Sequence, residues 1–401
     1  MRRKKQIFLA YLLETPNFLS IFLYPIFLIS ISPILLDISN ELNINLGNLN
    51  LILSFLIIGN IIGQLTSSLF NIKFRRFVII LTLYILLIPI TLSLIFVTKL
   101  YLFYILYFLS GYVLGVIWIQ ANGFLLESEI ENKNRLINVA LIFFPIGAIL
   151  APLISILLSS LKLNWRYLYI IIVLLIVLTL VSYLILKRKN NPNKKINIER
   201  YEFKGIFINK NHNKIFIVSI LTLFFYGITE AVIYTWSPTF FRIDRTLTAQ
   251  SASLTVTIFW LAVTVGRIFV GIVLCRIKPY ILAFWLTVIS IIPLIFMIFI
   301  SKGYIIFLTI FFVGLGYSGI FPLIFSNACL IYPKGKSILE TILFVTTSLG
   351  ASIAPYLTGL TLKLNIKYSM SIALIFMVLV SIFIILNMIN YRKFVKNQNV
   401  C

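Results

Sequence analysis

The sequence is poor in charge, in acids above all, and in the side chains that bind metals. It has 11 Asp and Glu residues, three Cys and one His, and charged residues make up 11% of its 401 positions. Soluble proteins carry about twice that share of charge, so the composition excludes a soluble globular chain. It also excludes a disordered chain, because 61% of the residues are hydrophobic.

The scarcity of Cys and His also limits the chemistry. Cys275, Cys329 and Cys401 show no metal-binding spacing, and His212 lies in a polar gap between apolar segments. No pairing of a nucleophile with a base, and no cluster of metal ligands, falls within the apolar segments. We therefore expect no cofactor, no bound metal and no enzymatic activity.

What the chain does have is long apolar runs. About 20 apolar residues cross a bilayer as a helix. The sequence therefore predicts an all-α membrane protein with twelve transmembrane helices, the first of which is retained rather than cleaved as a signal peptide. The predicted spans are 17–38, 48–70, 77–98, 101–125, 136–160, 166–186, 215–240, 249–274, 279–300, 304–329, 337–360 and 368–390.

The net charge of +23 would suggest a nucleic-acid partner in a soluble protein. Here 25 of the Lys and Arg residues lie in gaps on the side of the termini, 8 lie in gaps on the other side, and Arg267 falls inside a span. Cytoplasmic loops are enriched in Lys and Arg. We therefore expect a multi-pass protein of the plasma (inner) membrane with both termini in the cytoplasm, a lipid bilayer around it and no nucleic-acid partner.

The chain is an internal tandem repeat with an offset of 203 residues. We predict an N-terminal six-helix half at 1–186, a basic cytoplasmic linker at 187–213 and a C-terminal six-helix half at 214–401. In parallel repeats of this kind a substrate site lies between the halves near the middle of the membrane. The paired positions are Gly63 and Gly266, Gln64 and Arg267, Gly111 and Gly314, Gly147 and Gly350, and Pro152 and Pro355.

Glu230 is the one acid that falls deep inside a predicted span. A charge at that depth costs at least about 2.5 to 3.5 kcal/mol, so we expect Glu230 to face a cavity and to bind the substrate or a proton. Arg267 is its candidate partner, although counting residues along the helices separates the two by about 12 Å in depth. An ion pair and a packing role for Arg267 both remain open.

Other polar and aromatic side chains lie at comparable depth. Amides can hydrogen-bond hydroxyl groups, and aromatic rings can stack on the apolar face of a sugar. The same residues can instead pack helices together or face lipid. The candidate site residues beside Glu230 and Arg267 are Gln120, Asn122, Asn327, Trp118, Tyr226 and Trp236, and Trp260 and Tyr317 are further aromatic candidates.

Small and basic residues around the end of span two carry a resemblance to a known family. Their order resembles the loop motif of the major facilitator superfamily, although Asn71 stands in place of its acid and Phe74 in place of a glycine. The twelve spans, the linker and the repeat extend the resemblance over the whole chain. The residues of the motif are Gly59, Gly63, Ser67, Asn71, Lys73, Arg75 and Arg76.

A narrower resemblance comes from the segment Tyr226-Gly-Ile-Thr-Glu230 followed by Trp236, then by Phe259-Trp260 and Gly266-Arg267. This pattern is similar to the fucose-permease-like branch, whose characterised members are sugar:proton symporters. The chain departs from that branch where Pro33 replaces a proton-binding Asp and Trp118 replaces a Glu. Proton coupling through those two positions therefore does not carry over.

The sequence thus predicts a secondary transporter that moves a small polar solute, a sugar in the leading hypothesis, by alternating access and with protons as the coupling ion. We expect it to act as a monomer. A multidrug or metabolite efflux antiporter is an alternative, favoured by the aromatic content and by a partial antiporter motif at Gly147, Ala151 and Pro152. A non-transporting membrane receptor or assembly protein is another, favoured by the missing symporter acids.

Overall fold

The structure is a computed structural model that describes residues 2–127, 133–186, 210–274, 276–299, 303–331, 336–362 and 365–398. Its regular secondary structure in these ranges is helical, with short 3-10 segments at Ser32–Ile34 and Leu94–Phe96. The α-helices are α1 (Arg2–Ile29), α2 (Leu35–Leu42), α3 (Leu46–Lys73), α4 (Arg76–Ser93), α5 (Leu100–Glu127), α6 (Lys133–Ser160), α7 (Tyr167–Leu186), α8 (Lys210–Asp244), α9 (Ala249–Val273), α10 (Pro279–Phe299), α11 (Ile305–Tyr317), α12 (Ile320–Ile331), α13 (Lys336–Thr361) and α14 (Ile366–Gln398).

Twelve segments of the described chain are long and apolar enough to cross a membrane. This confirms the predicted all-α architecture, and most spans begin and end within a few residues of the predicted bounds. The first span, Leu12–Leu42, is longer than predicted at both ends. The agreement is close because the length of an apolar run is itself the property that allows a helix to cross the bilayer.

Two spans are broken helices, which the apolar runs did not predict. In the first span α1 ends at Ile29, and a 3-10 turn containing Pro33 leads into α2. In the tenth span α11 ends at Tyr317 and α12 begins at Ile320. Interrupted spans are tolerated where the freed backbone groups find partners inside the protein, and the second interruption lies beside Glu230.

The chain divides into two compact units, unit 1 (Met1–Ile198) and unit 2 (Glu199–Cys401). Residues 187–209 of the predicted linker lie outside the described residues. Residues 210–213, the last four of that linker, form the first turn of α8.

In unit 1, α3 and α5 pack through four glycines. Gly59 and Gly63 lie against the backbone of α5, and Gly111 and Gly115 lie against the backbone of α3. A Cβ atom at any of the four would collide with a main-chain carbonyl of the other helix. Small residues therefore set the distance between these two helices, as they do in other membrane helix pairs.

In unit 2, glycines hold α8 against α13. Gly227 of α8 faces the main chain at Thr347, and Gly350 of α13 faces the main chain at Phe224. In unit 1 the repeat partner of Gly350, Gly147, likewise faces the main chain of α1 at Phe22. Gly147 and Gly350, the first residues of the partial antiporter motif and of its repeat in unit 2, thus both pack helices together. In unit 2 these contacts also fix the position of α8, the helix that carries Glu230.

Candidate functional site

Glu230 lies near the middle of the seventh span, Lys214–Asp244, with its position 16 residues after the first residue and 14 before the last. Its side chain is partly buried. Tyr226, one helical turn earlier, donates a hydrogen bond of 2.7 Å from its hydroxyl to Glu230 Oε1. Tyr226 is itself 1% exposed. The carboxylate is therefore oriented by a rigid neighbour.

The hydroxyl of Tyr226 has a second acceptor within reach. It lies 3.3 Å from the carbonyl oxygen of Tyr317, the last residue of α11. Because a hydroxyl carries one proton, it can donate a full bond to only one of the two oxygens. The site thus connects a carboxylate in span seven with the break in span ten.

An aromatic cluster, which we call the shelf, adjoins Tyr226 and consists of Phe321, Phe325 and Phe344. The rings of Phe321 and Phe325 stack with centroids 5.3 Å apart, and Phe344 lies 4.9 Å from Phe325. The ring of Tyr226 is 6.3 Å from that of Phe321. The shelf was not predicted from the sequence, although the repeat offers a signal, since Phe321 corresponds to Trp118 and Phe325 to Asn122.

Arg267 on α9 is exposed and lies close enough to Glu230 and Tyr226 to interact with both electrostatically. No ion pair joins Arg267 to Glu230 in the part of the chain that the structure describes. The arrangement is that of a cation near the carboxylate rather than bonded to it. A polar ligand can therefore contact either group without first breaking a salt bridge.

Three other predicted site residues of unit 2 are buried in helix contacts. Trp236 is fully buried, and its indole nitrogen donates to Ser369 Oγ of α14 at 2.7 Å. Asn327 is 7% exposed and donates to the carbonyl of Leu323 in its own helix at 2.8 Å. Trp260 is 3% exposed, and its ring lies 6.1 Å from that of Tyr234 in a tilted arrangement. These positions match the packing alternative that the sequence analysis left open.

Gln120 of unit 1 is fully buried and has both of its amide hydrogens engaged. Its nitrogen donates to the carbonyl and the hydroxyl oxygen of Ser67, at 3.1 and 2.9 Å, and its oxygen accepts from Arg76 at 2.8 Å. An amide has only two hydrogens to donate. Gln120 therefore joins α3, α4 and α5, and has no further hydrogen to donate to a substrate.

Asn122 and Trp118 of unit 1 are partly buried. Asn122 donates to the carbonyl of Trp118 at 2.8 Å, which leaves part of its amide for other partners. The ring of Trp118 lies 4.7 Å from that of Tyr24 and 6.0 Å from that of Phe144. Both residues remain predicted contributors to a substrate site.

Unit 1 also contains a polar cluster that the sequence analysis did not single out. Tyr24 and Gln64 both donate to Asn60 Oδ1, at 3.0 and 2.7 Å. Tyr24 contacts Trp118 as well. The repeat holds a signal for this cluster too, because Gln64 occupies the position of Arg267.

A second acid is buried within a span of unit 1, although the sequence analysis placed it before the first span. Glu14 of α1 is 5% exposed and accepts a hydrogen bond from Asn17 at 2.5 Å. Tyr183 of α7 donates to Asn17 at 2.7 Å and lies 3.1 Å from Ser20. This network lies near the start of the first span and close to the end of α7, whereas Glu230 lies at mid-span.

Metal ligands do not converge in this part of the molecule. No three His, Cys, Asp or Glu side chains come together anywhere in the described ranges. The site offers a carboxylate, a hydroxyl, a nearby guanidinium and aromatic faces, which can bind a hydroxylated solute and can hold or release a proton.

Comparisons with known proteins agree with this architecture. A family model described as the Major Facilitator Superfamily matches residues 18–339. A glucose/mannose transporter of Bacillus subtilis (strain 168) is 24% identical over 341 residues, 83% of each chain. The solved structure of a nucleoside transporter matches with a TM-score of 0.78 at 14% identity over 96% of this chain and 100% of that one. A D-xylose-proton symporter matches with a TM-score of 0.75 at 14% identity over 94% of this chain and 97% of that one.

Proposed function

Because the chain belongs to the major facilitator superfamily, and is therefore a multi-pass membrane transporter, we propose that it moves a sugar across the membrane together with protons by alternating access. The observation that carries the proposal is the Glu230–Tyr226 pair beside the shelf in unit 2. A carboxylate accepts hydrogen bonds from sugar hydroxyls, and aromatic faces pack against the apolar face of a sugar ring.

The curated relative supports a sugar as the substrate, because that protein is a glucose/mannose transporter. In this chain the shelf contributes flat apolar surfaces next to a hydrogen-bonding group. That pairing is selective for solutes that carry hydroxyls on one side and C–H groups on the other. A purely apolar solute would displace water from the carboxylate without offering it a hydrogen bond beyond the one from Tyr226, at a cost in binding free energy.

Glu230 is also the group that we assign to the proton. A carboxylate at mid-span is costly to keep charged in hydrocarbon surroundings. Protonation removes that cost, and the oxygen that binds Tyr226 can still accept a hydrogen bond afterwards. Coupling follows if the substrate and the proton share this side chain.

For the placement in the cell we propose the plasma (inner) membrane, with both termini in the cytoplasm, and a monomer as the transporting form. The orientation rests on the excess of Lys and Arg on the side of the termini. Trypsin digestion of right-side-out and inside-out vesicles tests it. A tag at the C-terminus should be cut only in inside-out vesicles.

The transport proposal is tested with purified protein in liposomes. Radiolabelled glucose, mannose and xylose are each offered with and without an imposed pH gradient, acid on the side of entry. We expect the gradient to drive accumulation of at least one of the three. Absence of sugar flux in liposomes whose protein is correctly oriented and folded would contradict the sugar assignment and favour amphipathic compounds as the next substrates to test.

Glu230→Gln separates the two roles of the carboxylate. If Glu230 carries the proton, the variant should lose accumulation driven by the gradient and keep exchange of labelled for unlabelled sugar. If it binds the sugar alone, exchange should fall as well. Glu14→Gln is the matched control, since it makes the same change at the other buried acid described above, and we expect both fluxes to persist in it.

A further inference from the structure

Unit 2 contains an apolar groove between α9 and α10 with α11 as its floor. Its volume is about 680 Å³. Val273 and Leu282 lie at one end, next to the α9–α10 connection, and Phe296 and Ile305 lie at the other. Leu282 and Phe296 are fourteen helical rises apart on α10, which makes the groove about 21 Å long. It is therefore longer than one leaflet of the hydrocarbon core, which is about 15 Å.

The lining of the groove offers nothing to a polar ligand. Thr309 and Ser318 are the polar residues among those that line it. Each hydroxyl is bonded to a carbonyl of α11, Thr309 to that of Ile306 at 2.8 Å and Ser318 to that of Leu315 at 2.7 Å. Water needs several polar partners to occupy a cavity. The chemistry of the lining therefore selects a hydrocarbon chain.

Charge at one end of the groove selects the kind of lipid. The α9–α10 connection carries Arg276 and Lys278, and both side chains are exposed. The sequence contains no Asp or Glu from Arg245 to Leu339. Basic residues at the membrane surface between transmembrane helices attract anionic headgroups, and no acid in this stretch opposes that attraction.

We propose that this groove binds one acyl chain of an anionic phospholipid whose phosphate lies against Arg276 and Lys278. The occupant packs on Ser318, directly after Tyr317, whose carbonyl faces the hydroxyl of Tyr226. The lipid therefore contacts the break in span ten at the residue next to Tyr317. The transport mechanism proposed above does not depend on it.

Native mass spectrometry of the full chain tests the proposal. Purified protein in mild detergent is mixed with equal amounts of phosphatidylglycerol and phosphatidylcholine that have identical acyl chains. We expect wild type to retain phosphatidylglycerol about tenfold more than phosphatidylcholine, because two basic side chains contact the phosphate. The double variant R276Q/K278Q should lose this preference. Equal retention of both lipids by wild type would overturn the proposal.

The matched charge control is K73Q/R75Q. These residues occupy the same positions in unit 1 by the 203-residue offset, and their substitution removes the same charge. The preference for phosphatidylglycerol should survive in this control. If it falls as far as in R276Q/K278Q, the preference comes from overall charge and the assigned site is wrong.

Filling the groove tests the acyl chain separately. Leu308→Trp enlarges an exposed side chain on the floor of the groove, and Ile268→Trp does the same at an exposed position of α9 outside it. Leu308→Trp should lose the bound phosphatidylglycerol and Ile268→Trp should keep it. If Leu308→Trp does not fold, Ile292→Trp on the α10 wall replaces it. Retention of the lipid by Leu308→Trp would overturn the proposal. So would a dimer of the wild-type protein that Leu308→Trp abolishes and Ile268→Trp does not.

Discussion

The two units place different side chains at the repeat-related positions of the candidate site. Glu230 of unit 2 corresponds to Phe27 of unit 1, and Arg267 corresponds to Gln64. Unit 1 therefore presents an aromatic ring and a neutral amide where unit 2 presents two charges. The two halves of the repeat share their helices and the order of these helices, while both charged groups of the site belong to unit 2.

The same contrast holds for helix packing. Gly59 and Gly115, two of the four glycines between α3 and α5, correspond to Ala262 and Ser318 in unit 2. In unit 2 Gly266 faces the side chain of Ser318 instead of a bare backbone. The helix pair of unit 1 is thus held by four contacts between a glycine and the main chain, whereas the corresponding pair of unit 2 combines one such contact with side-chain contacts next to the break in span ten.

The two units also bury their acids at different depths. The network of unit 1 around Glu14 has apolar counterparts in unit 2, where Ile217 and Ile220 stand at the positions of Glu14 and Asn17. Unit 1 thus places an acid near the start of its first span. Unit 2 places its acid at mid-span.

Replacing two glycines of unit 1 by their unit 2 counterparts should have the largest effect on the stability of the protein. Gly59→Ala with Gly115→Ser gives unit 1 the residues of unit 2, and each added side chain meets the main chain of the partner helix. We expect the pair to lower the free energy of unfolding by roughly 2 to 6 kcal/mol, at about 1 to 3 for each overpacked site. Thermal unfolding in detergent measures it.

The reverse exchange, Ala262→Gly with Ser318→Gly, is the control for that experiment. It removes atoms instead of adding them, so we expect a loss of about 1 kcal/mol for each site from the lower helix propensity of glycine. Equal losses in both directions would show that the two helix pairs are packed alike.

Tyr226→Phe tests whether the hydroxyl organises the charged site of unit 2. The variant keeps the ring and removes the bond to Glu230. A hydrogen bond to a charged group contributes about 1.5 to 3 kcal/mol, so we expect at least about a tenfold loss in transport efficiency. Tyr317→Phe is the control, because the acceptor on Tyr317 is its main-chain carbonyl. Equal losses in both variants would contradict an organising role for the hydroxyl.

Gln120→Leu gives unit 1 the residue that unit 2 has at that position, Leu323. Loss of the bonds to Arg76 and Ser67 should lower the free energy of unfolding by about 1 to 3 kcal/mol. The KM for the transported sugar should stay unchanged. A raised KM with an unchanged melting temperature would instead restore Gln120 as a substrate-binding residue.

Tyr183→Phe should have the smallest effect, about 1 kcal/mol in the free energy of unfolding, because it removes one neutral hydrogen bond from the network around Glu14. Tyr101→Phe makes the same change at an exposed position of α5 and should shift the melting temperature little. If the two variants have the same melting temperature, the network does not stabilise unit 1.

The spans, the repeat and the depth of Glu230 could all be predicted, because each depends on the order of apolar and charged residues along the chain. The broken helices could not. Gly319 and Pro33 mark the breaks in hindsight, but Gly and Pro also occur inside unbroken spans, as Pro238 does in α8. Whether such a residue interrupts a helix depends on whether the neighbouring backbone N–H and C=O groups find hydrogen-bond partners elsewhere in the folded protein.

The roles of individual side chains were less predictable for a related reason. Trp236 and Tyr226 are both aromatic and lie on the same helix, yet one bonds to Ser369 and the other to Glu230. Both are buried aromatic side chains, and only the polar groups that surround each one in the folded protein distinguish their roles. The shelf was missed because Phe is so abundant in this chain that no single Phe stands out.

The glycine contacts between α3 and α5 have a consequence for the order in which the protein is made. Both helices are complete once residue 127 has been synthesised, well before α8 exists. Domains generally fold as units, the N-terminal one first during synthesis. Unit 1 can therefore close its tightest helix pair while unit 2 is still on the ribosome. Substitutions at these glycines should accordingly reduce the yield of inserted protein as well as its stability.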